Sequence, residues 1–173
     1  EFVFAVSHMG YLSALLDECG VRDEESRKRV TECVRARNAH DLKAAAGEGA
    51  DLDRIARILE ADTDFSSALA LLKDVAEGEG TKAAAKELAE LYGHFRGTPY
   101  LGNMRLDLSV VNDVDYYTGI VFQGYVARVP KVILSGGRYD GLLSRIGRAH
   151  GAMGFALNLG DLAAFYPREK EAE

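Results

Sequence analysis

Two short segments concentrate the side chains that could do chemistry. Asp115-Tyr-Tyr-Thr-Gly-Ile-Val-Phe122 sets an acid, two phenols and a hydroxyl at the start of an apolar run. Ser135-Gly-Gly-Arg-Tyr-Asp-Gly-Leu142 sets Arg138, Tyr139 and Asp140 directly after a double glycine. Phenols, a guanidinium and carboxylates bind a small polar molecule through directional hydrogen bonds, and glycine lets backbone approach it closely. A plainer reading stands beside this one: a hairpin whose tyrosines pack on a sheet, with Arg138 and Asp140 paired at the surface. Gly136-Gly137 is not a phosphate loop, because no Gly-Lys-Ser/Thr follows. His8, His40, His94 and His150 are scattered, and neither they nor Cys19 and Cys33 have metal-ligand spacing. No metal and no cofactor are expected.

The elements that would position these residues fall into two halves. Up to about residue 97 the chain reads as helices. Glu1 to Val6 is a first strand, followed by helices over Gly10–Cys19, Asp23–Arg37, Ala39–Ala46, Leu52–Ala61 and Ser66–Glu77. A last helix carries Thr81 as its N-cap. Gly20 stops the first helix and Gly47 the third. Arg96-Gly-Thr-Pro-Tyr100 is the boundary, and beyond residue 100 lie ten of the 18 glycines and five of the eight tyrosines. There the alternation predicts strands over 104–111, 119–126, 131–134 and 151–157, and helices over 139–146 and 159–166. Leu106, Leu108 and Val110 share one face of the first of these strands, and Gly136-Gly137 breaks the third. Hairpin succession implies an antiparallel sheet, and helices before and after it make the class α+β.

Composition limits the alternatives. The 173 residues are 47% hydrophobic and 28% charged, the balance of a folded domain. Lys plus Arg is 21 and Asp plus Glu is 27, for a net charge of −6. Residues 101–173 hold 8 basic and 8 acidic residues, so the whole excess lies in residues 1–100. No Lys/Arg cluster suits a phosphate backbone, so no nucleic-acid partner is expected. No run approaches the ~18 apolar residues of a membrane span, so no membrane is expected either. Two cysteines make no disulfide framework, and the default compartment is the cytoplasm. A chain opening on Glu1 is expected to be part of something longer.

The two polar segments together resemble the histidine-recognition motifs of the histidyl-tRNA synthetase family. Those motifs read Arg-Gly-Leu-Asp-Tyr-Tyr-Thr and Gly-Gly-Arg-Tyr-Asp-Gly-Leu. Gly154-Phe-Ala-Leu-Asn-Leu-Gly-Asp-Leu162 falls where the third class II motif, Gly-Phe-Ala-Ile-Gly-Leu-Glu-Arg-Leu, is expected, and His8-Met-Gly-Tyr-Leu12 resembles the stretch after the second. The resemblance implies a class II aminoacyl-tRNA synthetase-like antiparallel sheet with flanking helices. Residues 1–21 and 99–173 would be a partial core and residues 22–98 a helical insertion. Asp115, Tyr116, Tyr117, Thr118, Gly136, Gly137, Arg138 and Tyr139 would form the amino-acid side of the pocket.

Two departures bear on activity. Asn112 stands at the first motif's catalytic arginine, and Asp161 at the third motif's ATP-binding arginine. Amino-acid activation builds negative charge at the ATP α-phosphate, and fixed guanidinium groups stabilise it. A site that keeps its amino-acid side and loses its ATP side resembles the paralogue that serves as regulatory subunit of ATP phosphoribosyltransferase, in the first step of histidine biosynthesis. That resemblance implies a non-catalytic role, a short-form catalytic subunit as partner, histidine as effector, and self-association through the missing N-terminal part. Only 11 residues follow Leu162, and the resemblance to the paralogue implies that no anticodon-binding domain is expected. The other readings are a divergent histidyl-tRNA synthetase fragment and a synthetase-like accessory protein.

Overall fold

The computed structural model describes residues 1–111, 117–145, 147 and 150–165. The first strand, β1 (Phe2–His8), leads directly into α1 (Met9–Glu18). His8 makes the junction, because its side chain accepts the Tyr11 N–H and caps the helix. Five further helices follow: α2 (Glu24–Arg35), α3 (Leu42–Ala46), α4 (Asp53–Glu60), α5 (Phe65–Val75) and α6 (Glu79–Phe95). Asp23 caps α2 by accepting the Ser26 N–H, with Glu24 and Glu25 in its first turn and Arg35 in its last, as the helix dipole favours. Asp64 caps α5 through the Ser66 and Ser67 N–H groups. Gly20 and Gly47 sit just past their helices at φ of 83° and 81°.

Thr81 does not cap α6. The helix begins two residues earlier, with Gly78 as N-cap, and the Thr81 hydroxyl turns to Glu18 at 2.8 Å instead. A buried hydroxyl facing a carboxylate gains more there than at a solvated helix end.

A short 3₁₀ turn leads into β2 (Met104–Leu106), then β3 (Ile120–Val126), β4 (Leu134–Arg138), α7 (Asp140–Arg145), β5 (Met153–Leu157) and α8 (Leu159–Phe165). The sheet order is β2-β1-β3-β4-β5. The sheet is mixed, not antiparallel throughout: β1 pairs with β2 in parallel, Phe4 opposite Met104 and Val6 opposite Leu106. Hairpin logic governs neighbours in sequence. These two strands are joined by a long helical excursion that returns the chain in its original direction.

β2 is also shorter than its alternation predicts. Asp107 ends it by accepting the Ser109 N–H on its side chain and the Val110 N–H on its carbonyl. Leu106 and Leu108 therefore stay in the main core, whereas Val110 joins a smaller cluster with Ala5 and Val121.

β4 lies a few residues later than expected, and the double glycine sits inside it. The strand can hold two glycines because neighbouring side chains and backbone occupy the space their Cβ atoms would need. On one face of the sheet Phe4 and Phe122 stack at 5.1 Å, and Val6, Met104 and Leu106 meet Leu15, Leu72 and Leu88 from α1, α5 and α6. The helical core packs against that side of the sheet. At the β5 end Phe155 is 72% exposed.

A second device joins the helices. Arg54 is only 8% exposed, yet its Nη1 donates to Glu18 at 2.9 Å and to the Val75 carbonyl at the end of α5 at 3.1 Å. With Thr81 on the same carboxylate, this polar knot ties α1, α4, α5 and α6 together.

Candidate functional site

Three strands make the floor of the site. Val121 lies beside Gly137, and Gly137 beside Gly154. Directly paired residues share a face, so these three point the same way. Two rings occupy the space the glycines leave. A Cβ on Gly137 would come within 2.7 Å of Tyr117 Cδ1, and one on Gly154 within 2.8 Å of Tyr139 Oη. The Tyr117 and Tyr139 rings meet edge to face, their centroids 6.2 Å apart at 76°. Gly136 faces the other way, where a Cβ would collide with the Gly154 carbonyl, Phe122 and Phe155.

The loop carrying Tyr117 is pinned on both sides. The Thr118 N–H donates to the Arg138 carbonyl at 3.1 Å, and the Met9 N–H donates to the Gly119 carbonyl at 2.9 Å. The Tyr139 N–H donates to the Ala152 carbonyl at 2.8 Å. The two tyrosines are thus fixed by backbone of β4, of the start of α1 and of the residue before β5, and Thr118 stays exposed beside them. An open cleft of about 730 Å³ adjoins Tyr117 and Thr118, walled by Met9 and Leu12 of α1 and by Thr31 and Arg35 of α2. That volume is in the range of small-molecule sites.

Arg138 parts company with the rings. Its guanidinium reaches the helix-covered side, where Nη1 donates to Glu87 Oε2 of α6 at 3.2 Å and Nε donates to Asp140 Oδ2 at 2.6 Å. The pairing of Arg138 with Asp140 and the packing of the tyrosines on the sheet both occur, as the plainer of the two sequence readings expects. Asp140 Oδ1 also accepts the Ala152 N–H at 2.8 Å, and with Arg138 this holds its carboxyl below the usual carboxylate range. His8 is buried at the end of β1, and its Nε2 lies 3.4 Å from the same Glu87 oxygen. Because Nδ1 accepts the Tyr11 N–H, Nε2 carries the proton of the neutral ring. Burial lowers the His8 pKa, against the pull of Glu87.

Asp161 begins the first turns of α8 fully engaged. Lys131 Nζ donates to it at 2.7 Å, and Asn158 Nδ2 donates at 2.6 Å. Asn112, Asp115 and Tyr116 lie outside the described residues. Glu87 is the residue that the sequence motifs do not reveal. Its signal was present: an acid three residues after Ala84 and four before Leu91, on the apolar side of α6. Among the described residues no group of three or more His, Cys, Asp or Glu could hold a metal ion.

A mixed five-stranded sheet with helices on one face and two tyrosines over a glycine floor defines a class II aminoacyl-tRNA synthetase-like protein. The chain belongs to the histidyl-tRNA synthetase family, whose profile matches residues 1–162. Among its curated relatives, the ATP phosphoribosyltransferase regulatory subunit of Clostridium botulinum (strain Langeland) is 32% identical over 94% of this chain and 39% of the relative. The histidine–tRNA ligase of Rhodopirellula baltica is 30% identical over 94% of this chain and 39% of the relative. A solved structure described as an ATP phosphoribosyltransferase regulatory subunit/histidyl-tRNA synthetase from Bacillus halodurans C superposes with a TM-score of 0.81 at 28% identity, covering 95% of this chain and 44% of that one. The chain therefore spans about 39% of the length of the two curated relatives.

Proposed function

We propose that this chain is part of a non-adenylating regulatory subunit of ATP phosphoribosyltransferase, required for the activity of a short-form catalytic subunit in the first step of histidine biosynthesis. The observation that carries the reading is Asp161. Where activation would need a guanidinium, this chain places a carboxylate already neutralised by Lys131. An ATP phosphate would have to meet that acid, and Asn112 adds no positive charge. The amino-acid side is intact by comparison. Tyr117 and Tyr139 stand over their glycines, and Asp115, Tyr116 and Thr118 keep the motif's residue types. Histidine is accordingly the ligand proposed for the pocket, as an effector rather than a substrate.

The protein acts in the cytoplasm as part of a hetero-oligomer, with self-association through segments that precede Glu1 in sequence. Residues 1–21 and 99–173 form the synthetase-like core and 22–98 the helical insertion. No helix among the described residues is long and apolar enough to cross a membrane. The test is to mix the parent protein with the short catalytic subunit and measure phosphoribosyl transfer from phosphoribosyl pyrophosphate to ATP. Activation is expected; no complex and no activation would remove the proposal. Within the site, Tyr139→Phe should weaken histidine binding by ~1–3 kcal/mol in titration calorimetry, as a buried hydrogen bond is lost. The ligase name of the Rhodopirellula baltica relative favours one competing reading, a divergent histidyl-tRNA synthetase. Histidine-dependent ATP–pyrophosphate exchange would decide for it.

A further inference from the structure

The helical segment reaches the tyrosine site through one carboxylate. Glu87 Oε2 receives Arg138 Nη1 at 3.2 Å and faces His8 Nε2 at 3.4 Å. From there the contacts run outward. Arg138 Nε binds Asp140 at 2.6 Å, Asp140 binds the Ala152 N–H at 2.8 Å, and the Ala152 carbonyl takes the N–H of Tyr139 at 2.8 Å. On the other side the Arg138 carbonyl takes the N–H of Thr118, next to Tyr117, at 3.1 Å. The Arg138 stem lies against Gly119, where a Cβ would sit 3.1 Å from Arg138 Cδ. Both rings thus hang from the backbone on either side of Arg138, and the Arg138 side chain is anchored by Glu87 and Asp140.

We propose that Glu87 is a positioning residue: from α6 it fixes the Arg138 guanidinium and thereby the spacing of Tyr117 and Tyr139, so that the helical segment and ligand uptake are coupled. The titratable and charged groups of this network are His8, Glu87, Arg138 and Asp140. With His8 neutral, the two acids and one guanidinium leave a net charge of −1. Removing Glu87 turns Arg138 wholly to Asp140 and deprives the buried imidazole of its acceptor. The described polar contacts of Glu87 and the Arg138 side chain run to His8, Asp140 and each other, so the effect works through geometry. A carboxylate–guanidinium contact is directional, and losing it frees a long side chain to reorient.

The experiment uses the full-length parent protein labelled with fluorotyrosine, its Tyr117 and Tyr139 resonances assigned with Phe variants. Glu87→Ala should move both fluorine resonances. Glu87→Gln, which keeps an acceptor for Arg138, should move them less and carries the test if the alanine variant fails to fold. Glu90→Ala, on the exposed side of the same helix, is the control and should leave them in place. The second readout rests on the proposed histidine-binding role: calorimetry should show affinity falling about tenfold in Glu87→Ala and about threefold in Glu87→Gln. Unmoved resonances in a folded Glu87 variant overturn the inference, as does histidine affinity equal to wild type. Moved resonances with no histidine binding by wild type leave Glu87's role standing and sink histidine as the ligand of this pocket instead.

Discussion

Replacing Glu18 by Ala should destabilise the fold by about 2–3 kcal/mol, through the charge it leaves behind. Breaking a buried ion pair from one side costs ~3–5 kcal/mol, because the partner stays desolvated without compensation. Two features of this site lower the figure. The Glu18 side chain keeps 18% of its exposure, and Glu77, itself 73% exposed, already lies 3.4 Å from Arg54 Nη1 and can take over part of the pairing. Glu18→Gln keeps one acceptor oxygen, for Arg54, and turns its NH2 to the Thr81 hydroxyl, which can accept; it should cost about 1–2 kcal/mol. Urea unfolding, read as the change in midpoint at constant slope, measures both.

The pH dependence provides an independent check. Burial alone pushes the Glu18 pKa up. The hydrogen bonds from Thr81, Arg54 and the Gly78 backbone outweigh it, so the carboxyl lies below its ordinary 4.5. A folded value below the unfolded one means that the unfolded chain binds protons first. The stabilisation is then full above pH 4.5 and fades as pH falls through the folded value. The gap between wild type and Glu18→Gln should close over that acid window. A Glu18→Ala loss below about 0.5 kcal/mol, or a gap that stays constant through the acid range, refutes the view that Glu18 neutralises a buried guanidinium.

Gly137→Ala should cost about 1–3 kcal/mol and displace Tyr117, since the methyl would also meet the Ile120 carbonyl at 2.8 Å; a thermal melt no lower than wild type speaks against that crowding. Tyr11 is fully buried and its hydroxyl donates to the Leu72 carbonyl at 2.8 Å, so Tyr11→Phe should lose about 1–2 kcal/mol in urea unfolding, and a neutral outcome means the carbonyl finds another donor. His8 titrates below its ordinary 6.5, so wild-type stability should fall as pH drops below 6.5 while a His8→Gln variant lacks that contribution; an imidazole titrating above 6.5 by proton NMR contradicts its burial as a neutral ring.

Much of the helical half was legible because its signals are local. Asp23, Gly20 and Gly47 mark helix ends by their own backbone chemistry, and each sits where the pattern puts it. The sheet was harder, because its glycines answer to distant partners. Gly136 and Gly137 read locally as a break, yet Phe122, Phe155 and Tyr117 fill the space beside them and make them strand residues. The parallel pairing of β1 with β2 has no local signal at all. Of the site, Tyr117 and Tyr139 were visible as motif residues and do come together. The reversal of Arg138 toward α6 was not visible, since it depends on Glu87, 51 residues away in sequence.

The seating of β1 between β2 and β3 has a consequence for how the molecule is made. Phe4 is flanked by Met104 on one side and Gly124 on the other, so neither neighbour of β1 exists until the growing chain has passed those residues. Closing so long a loop is entropically expensive and comes late in folding. During synthesis β1 therefore waits for β2 and β3 while the helices that follow it condense. The sheet closes around β1 only when β2 and β3 arrive.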